Sequence, residues 1–187
     1  MGEKRKGTIV KGIAGFYYVK AGNCIYQCKA RGIFKKEGIV PTVGDIAHIE
    51  LLTDGDAWIY KIELPRKNIF VRPAIANVDC FVTVFAAAEP TPNLRIIDKF
   101  SVTAEQNRAE VILCLNKIDI APAADIEAIR QIYEGIYPVC CVSAVTGEGL
   151  TELREAMRGK ACALAGPSGA GKSTLLNAIN PAAAAAT

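Results

Sequence analysis

Apolar and polar positions change rhythm once along the chain, near residue 65. Before that point, short β-branched and aromatic runs are broken by glycine: Thr8–Val10, Phe16–Val19, Cys24–Ala30, Asp45–Leu51 and Ala57–Ile62. Such runs, bounded by turn residues such as Asp54-Gly55, predict strands. Five strands in so short a stretch predict a small closed barrel of the OB type, with a small sandwich or an SH3-like barrel as the other outcomes.

Beyond the polar break Pro65-Arg66-Lys67-Asn68 the pattern becomes strand, helix, strand, helix. Apolar runs at Cys80–Phe85, Val111–Leu115, Val139–Val142 and Ala161–Ala165 alternate with helical stretches at Leu94–Asn107, Asp125–Glu134, Leu150–Met157 and Lys172–Ile179. Asp125, ahead of Ile126, Ile129, Ile132 and Tyr133, reads as the cap of an amphipathic helix. This alternation predicts a mostly parallel α/β sheet with right-handed crossovers, binding its ligand at the carboxyl ends of the strands. The expected domains are therefore 1–68 and 69–187. Pro181 is expected to end the last helix, and the alanines 182–186 read either as a real low-complexity end or, the favoured reading, as standing in for other residues.

The net charge of +3 hides an asymmetry. Residues 1–72 carry 13 Lys/Arg against 7 Asp/Glu, whereas residues 73–187 carry 9 against 12. A basic barrel beside an acidic domain suggests a polyanion partner, the plainer reading being a solvated charged face. Lys11, Lys29, Arg31, Lys35 and Lys36 are the RNA-binding candidates; of the aromatics Phe16, Tyr17, Tyr18 and Tyr26, most are expected in the core and some on bases. Seven cysteines with no C-x-x-C pair, five of them within apolar runs, read as reduced thiols in a cytoplasmic protein. With His48 the single histidine, no zinc site is expected in this chain. No apolar run reaches the roughly 18 residues a membrane span needs, and no hydrophobic segment follows the basic start, so neither a membrane partner nor a signal peptide is expected.

Candidate chemistry begins with Gly166-Pro167-Ser168-Gly169-Ala170-Gly171-Lys172-Ser173, between an expected strand and an expected helix. The glycines let the backbone approach a phosphate closely, and successive N–H groups at the helix start then face the anion. Lys172 would reach the β- and γ-phosphates, and Ser173, followed by Thr174, would bind Mg²⁺. The loop alone does not choose a base: Gly166 to Thr174 also resembles the opening of a guanylate kinase.

Asn116-Lys117-Ile118-Asp119 closes the run Val111–Leu115. A carboxylate at a strand end can accept both N1–H and the 2-amino group of guanine, whereas adenine would leave it unpaired. The Lys117 stem can cover the base while its ammonium braces the phosphate loop, and Asn116 can bond base and loop together. Ser143-Ala144 follows the next strand and can offer a backbone N–H to guanine O6. Two guanine elements ahead of a phosphate loop reverse the order of an ordinary GTPase and predict a circularly permuted one. A nucleotide kinase, the alternative, has no reason to carry them upstream.

No Asp is followed three residues later by Gly, and no Asp or Glu follows Lys172. The elements that position the attacking water are expected after the phosphate-loop helix. The catalytic residue is thus unassigned, and the 187 residues alone are expected to bind guanine nucleotide weakly and hydrolyse it negligibly.

Across almost all of residues 7–181 the chain resembles the bacterial ribosome small-subunit-dependent GTPases. The resemblance rests on Gly15-Phe16-Tyr17-Tyr18-Val19, Tyr26-Gln27-Cys28-Lys29-Ala30-Arg31-Gly32, Pro41-Thr42-Val43-Gly44-Asp45, Arg72-Pro73-Ala74-Ile75-Ala76-Asn77-Val78-Asp79 and the three nucleotide motifs. It implies an OB-fold, a permuted GTPase domain and a C-terminal module that binds Zn²⁺. It also implies GTP/GDP and Mg²⁺ as ligands, and GTP hydrolysis stimulated by the small ribosomal subunit. The implied role is late maturation of that subunit, on its rRNA. A monomer is expected.

Overall fold

The computed structural model describes residues 2–52 and 56–180; the turn expected at Asp54-Gly55 and the tail 181–187 lie outside them. Two compact units divide the chain, Met1–Val78 and Asp79–Thr187.

In the first unit, strands β1 (Glu3–Ile13), β2 (Phe16–Ala21) and β3 (Cys24–Ala30) lead into a one-turn helix, α1 (Ile33–Lys36), followed by β4 (Ile46–Leu51) and β5 (Ala57–Ile62). They close into a barrel in the order β1-β2-β3-β5-β4, with β1 pairing both β2 and β4 and with β3 parallel to β5. The expected strand Thr8–Val10 is only the middle of β1. Its charged start pairs with β4, Lys4 opposite Glu50 and Lys6 opposite His48. Alternation delivers Ile9, Val19, Cys28, Ala47, Ile49 and Ile59 to the interior, where Phe34 of α1 joins them. Burial pushes the Cys28 thiol up to about 11.

The barrel's end is fastened by a buried ion pair. Arg66 donates from Nε to Asp45 Oδ1 and from Nη2 to Asp45 Oδ2, both at 2.7 Å, and Asp45 is fully buried. A short hairpin, β6 (Ile69–Phe70) with β7 (Ile75–Ala76), bridges to Val43 through Ile75. Asn68 exchanges two hydrogen bonds with Val78, each at 2.8 Å. Segment 69–78, assigned from the sequence to the second domain, thus packs with the first.

The second unit contains β8 (Cys80–Ala86), α2 (Leu94–Gln106), β9 (Glu110–Asn116), α3 (Ala123–Tyr133), β10 (Val139–Val142), α4 (Leu150–Met157), β11 (Cys162–Ala165) and α5 (Lys172–Ile179). The strands are parallel throughout, in the order β10-β9-β8-β11. Val82, Val84, Cys114 and Val142 pack with Leu150 and Leu153 of α4 and Leu175 of α5. On α2, the Phe100 ring stacks on Phe81 of β8 at 6.3 Å. The chain runs outward from β8 to β10 and then returns to β11 on the other side of β8. Open α/β sheets bind ligands where strand order reverses in this way. One expectation at a helix start fails: α3 begins at Ala123 with Pro122 at its cap, and Asp125 lies in the first turn. Pro122 is extended at ψ 138°, and the two alanines that follow it are strong helix formers, so the helix starts before the acidic residue.

Candidate nucleotide-binding site

The three expected motifs follow β9, β10 and β11 at their carboxyl ends. Asn116, the last residue of β9, is buried and ties them together. Its Nδ2 donates to the Ala170 carbonyl at 2.9 Å, and its Oδ1 accepts from the Ala144 N–H at 3.1 Å. One amide thus bonds both the phosphate loop and the Ser-Ala turn.

Lys117 adopts the left-handed region, at φ 67°, and opens a 3-10 turn over Ile118–Ile120. That turn leaves Ile118 half-buried and Asp119 exposed. The Lys117 ammonium, expected to brace the phosphate loop, instead donates to the Glu89 carbonyl at 2.7 Å. Topology explains the partner. Strand β8 lies between β9 and β11, so the loop after it, 87–93, emerges between the base motif and the phosphate loop.

Ser143 is buried, and its Oγ accepts from the N–H groups of Val145 (3.3 Å) and Thr146 (3.1 Å). This local network holds Ala144 against Asn116.

In the phosphate loop, Gly166 lies at φ 152°, and a side chain there would place Cβ 1.9 Å from the Val84 carbonyl oxygen. Gly171, at φ 84°, would put a Cβ 2.5 Å from Asn116 Nδ2. Glycine at these two positions keeps the loop against β8 and against Asn116. Pro167 is half-buried, Ser168 and Gly169 are exposed, and Ala170 is fully buried in the α4–α5 core. Gly171 starts α5, and no side chain caps that end. Its first-turn N–H groups are therefore available to an anion. Lys172 folds back over the loop, donating to the carbonyls of Gly166 (2.9 Å) and Pro167 (2.7 Å).

Two cavities adjoin. One, of about 220 Å³, is lined by Asn116, Lys117, Asp119, Ala144, Gly171 and Thr174, among others. The second, of about 400 Å³, is lined by Lys117, Ser168, Gly169, Gly171, Lys172, Ser173 and Thr174. They share Lys117, Gly171 and Thr174. The recess at the Asn116-Lys117-Ile118-Asp119 motif therefore adjoins a larger one over the glycine-rich loop, with the lysine stem and the loop at their boundary.

Residues 63–187 match the sequence model of the RsgA GTPase family, and residues 6–59 match that of the RsgA N-terminal domain. This chain belongs to the RsgA GTPase family. Among its relatives, the small ribosomal subunit biogenesis GTPase RsgA of Caldanaerobacter subterraneus subsp. tengcongensis is 46% identical over 178 residues, 95% of this chain and 60% of that protein. The protein of the same name from Alkaliphilus metalliredigens is 44% identical, over 94% of this chain and 61% of its own length. The chain thus spans about six-tenths of these curated relatives. Two solved structures match 96% of this chain and 66% of their own: YjeQ from Thermotoga maritima, at TM-score 0.84 and 37% identity, and YloQ, described as a circularly permuted GTPase, at 0.77 and 35%. The fold is that of a permuted RsgA GTPase domain preceded by an OB-type barrel. The kinase alternative finds no support in these matches.

The basic candidates fall on the barrel. Lys11 lies over the Tyr18 ring at 5.7 Å, and Lys29 lies over both Phe16 and Trp58 at 5.7 Å. Arg31 pairs with Glu50 and sits 5.9 Å from the Tyr60 ring. Lys35 and Lys36 are exposed in the only turn of α1. Tyr17 and Tyr26 pack against the barrel core. Trp58 and Tyr60 were not among the sequence candidates. The alternation Ala57-Trp58-Ile59-Tyr60 carried that signal, because Ala57 and Ile59 are buried and leave the two rings on the opposite face. Among the described residues no cluster of three or more His, Cys, Asp or Glu can hold a metal, and no helix is long and apolar enough to cross a membrane.

Proposed function

We propose that this chain acts as a GTP-binding and GTP-hydrolysing factor in late maturation of the small ribosomal subunit, engaging its rRNA in the cytoplasm as a monomer. The observation that carries the reading is Asn116, bonded at once to the phosphate loop and to the Ser-Ala turn. The names of the relatives supply the ribosomal context.

In this reading Asp119 accepts N1–H and the 2-amino group of guanine, and the Ala144 N–H faces O6. The Lys117 stem lies along the base. The Lys172 ammonium exchanges its two carbonyls for phosphate oxygens, while the N–H groups from Gly169 to Thr174 surround the β-phosphate. The Ser173 hydroxyl would hold Mg²⁺, which when bound neutralises charge on the phosphates. Among the described residues lining the phosphate cavity none is a carboxylate or a glutamine, so no water-positioning group is assigned.

RNA would lie on the outer barrel face. Cross-strand register puts Phe16 opposite Lys29, and Lys29 opposite Trp58. Rings interleaved with cations suit a nucleic acid, with bases stacking and phosphates pairing. Lys11, Arg31, Lys35 and Lys36 extend the charge.

Co-sedimentation with purified ribosomal subunits tests the proposal. The chain should pellet with small subunits in the presence of GTP, with binding falling steeply as salt rises. Equal pelleting with large subunits, or binding indifferent to salt, would contradict it.

A further inference from the structure

We propose that the cavity between α2 and α3 is a docking site for a basic amphipathic peptide, and that its occupancy is felt at the nucleotide site through Glu89 and Pro90. The cavity measures about 580 Å³, larger than either nucleotide recess. Its walls include Ala87, Leu94, Ile129 and Ile132, and its polar lining includes Glu89 and Asp125. Leu94 and Ile132 are left 37% and 49% exposed. Both acidic residues are exposed, and among the described residues neither takes part in an ion pair, although Arg130 of the same helix pairs with Glu134 just past its end.

These features select the occupant. Two unpaired carboxylates repel RNA and anionic lipid, so this face is unlike the barrel's. They stand on different elements, one on the loop after β8 and one on α3, with apolar wall around them. The complement is a segment that inserts an aliphatic side chain and carries Lys or Arg nearby, as one face of a basic helix does. Apolar contact then supplies affinity, and the charges supply orientation and on-rate.

The coupling is geometric. Glu89 lines the cavity, while its carbonyl accepts the Lys117 ammonium at 2.7 Å. The next residue, Pro90, packs on the phosphate loop so closely that a Cβ on Gly169 would lie 3.3 Å from its Cδ. Ala87 closes the loop's other end, its N–H donating to the Asn116 carbonyl at 2.7 Å. The loop is therefore a shared wall, with the peptide cavity on one side and Lys117 and Gly169 on the other. A peptide that moves or stiffens this wall changes nucleotide affinity, and nucleotide must change peptide affinity by the same factor.

The test uses the whole 187-residue chain labelled with ¹⁵N and, as probe, a blocked peptide of about 14 residues carrying Leu and Lys at helical spacing. Amide shifts should centre on Leu94 and on Ala128 to Ile132, and should reach Lys117 and Gly169. Leu94→Lys combined with Ile132→Lys should weaken the peptide about tenfold, since both apolar contacts are lost and the two carboxylates are offset by two added cations. Glu89→Gln with Asp125→Asn should weaken it about threefold while keeping the Glu89 carbonyl. These side chains are exposed, so the melting temperature should hold in all variants. GDP and peptide should alter each other's affinity by equal factors. Shifts centred elsewhere, peptide affinity indifferent to these substitutions, or the same amides responding to a short RNA would overturn the docking site. Unequal or absent mutual effects would overturn the coupling. Failure to bind GDP would instead count against the nucleotide reading and leave the peptide map intact as a test.

Discussion

At the residue scale, the account rests on a few side chains whose roles separate cleanly. Asp119 is exposed at the mouth of the base recess, so its replacement should act on the ligand rather than on folding. Asp119→Asn swaps one acceptor for a donor, which opposes guanine's two donors and suits the 2-oxo group of xanthine. GTP affinity should fall at least about tenfold, near 1.4 kcal/mol, while xanthosine triphosphate binding appears in the same titration. Lys172 presents the same balance. It bonds only carbonyls of its own loop, so Lys172→Ala should abolish nucleotide binding and leave the melting temperature of the ligand-free chain within a few degrees. Calorimetry of the variant checks both halves. What the sequence could not give at this scale was the Lys117 partner. Glu89 lies 28 residues away, and only the placement of β8 between β9 and β11 brings its carbonyl to the lysine.

At the scale of elements, legibility followed pattern length. The stretches Cys24–Ala30, Ala57–Ile62, Val139–Val142, Leu150–Met157 and Lys172–Ile179 form elements with the expected bounds, because apolar pattern and nearby turn residues agree in each. The one-turn helix α1 has a single buried anchor, Phe34, and the strands β6 and β7 have two residues each, too few to show any period. The charged start of β1 concealed a strand whose pairing is fixed by β4 rather than by its own apolar content. The stretch Pro65 to Asn68 read as a break on polarity alone, yet Arg66 is held there by a fully buried carboxylate. Removing one member of such a pair leaves a buried charge uncompensated. Asp45→Asn should therefore cost about 3–5 kcal/mol in urea unfolding of the barrel, whereas nucleotide affinity should be unaffected. A loss below about 1 kcal/mol, the range of an exposed pair, would show the contact to be peripheral.

At the scale of the whole molecule, charge and chemistry are divided between two units. The barrel carries the basic excess and the interleaved rings; the α/β unit carries the nucleotide motifs. Contributions of charge and of stacking to RNA binding should be separable. Lys29→Ala should lower the salt slope of RNA affinity by about one, as the loss of one phosphate contact demands. Phe16→Ala with Trp58→Ala should weaken binding by about 1–3 kcal/mol per stacked base while leaving the slope nearly unchanged. Filter binding over a salt series distinguishes these outcomes, and a double variant with unaltered affinity would remove the rings from the interface.

The central claim is that this rearranged site reads guanine. Displacement of a fluorescent GDP analogue from the 187-residue chain tests it most directly. GTP and GDP should displace the analogue, whereas ATP should fail even at about a hundredfold excess, since adenine leaves the Asp119 carboxylate unpaired. Displacement by ATP and GTP at equal concentrations would contradict the account.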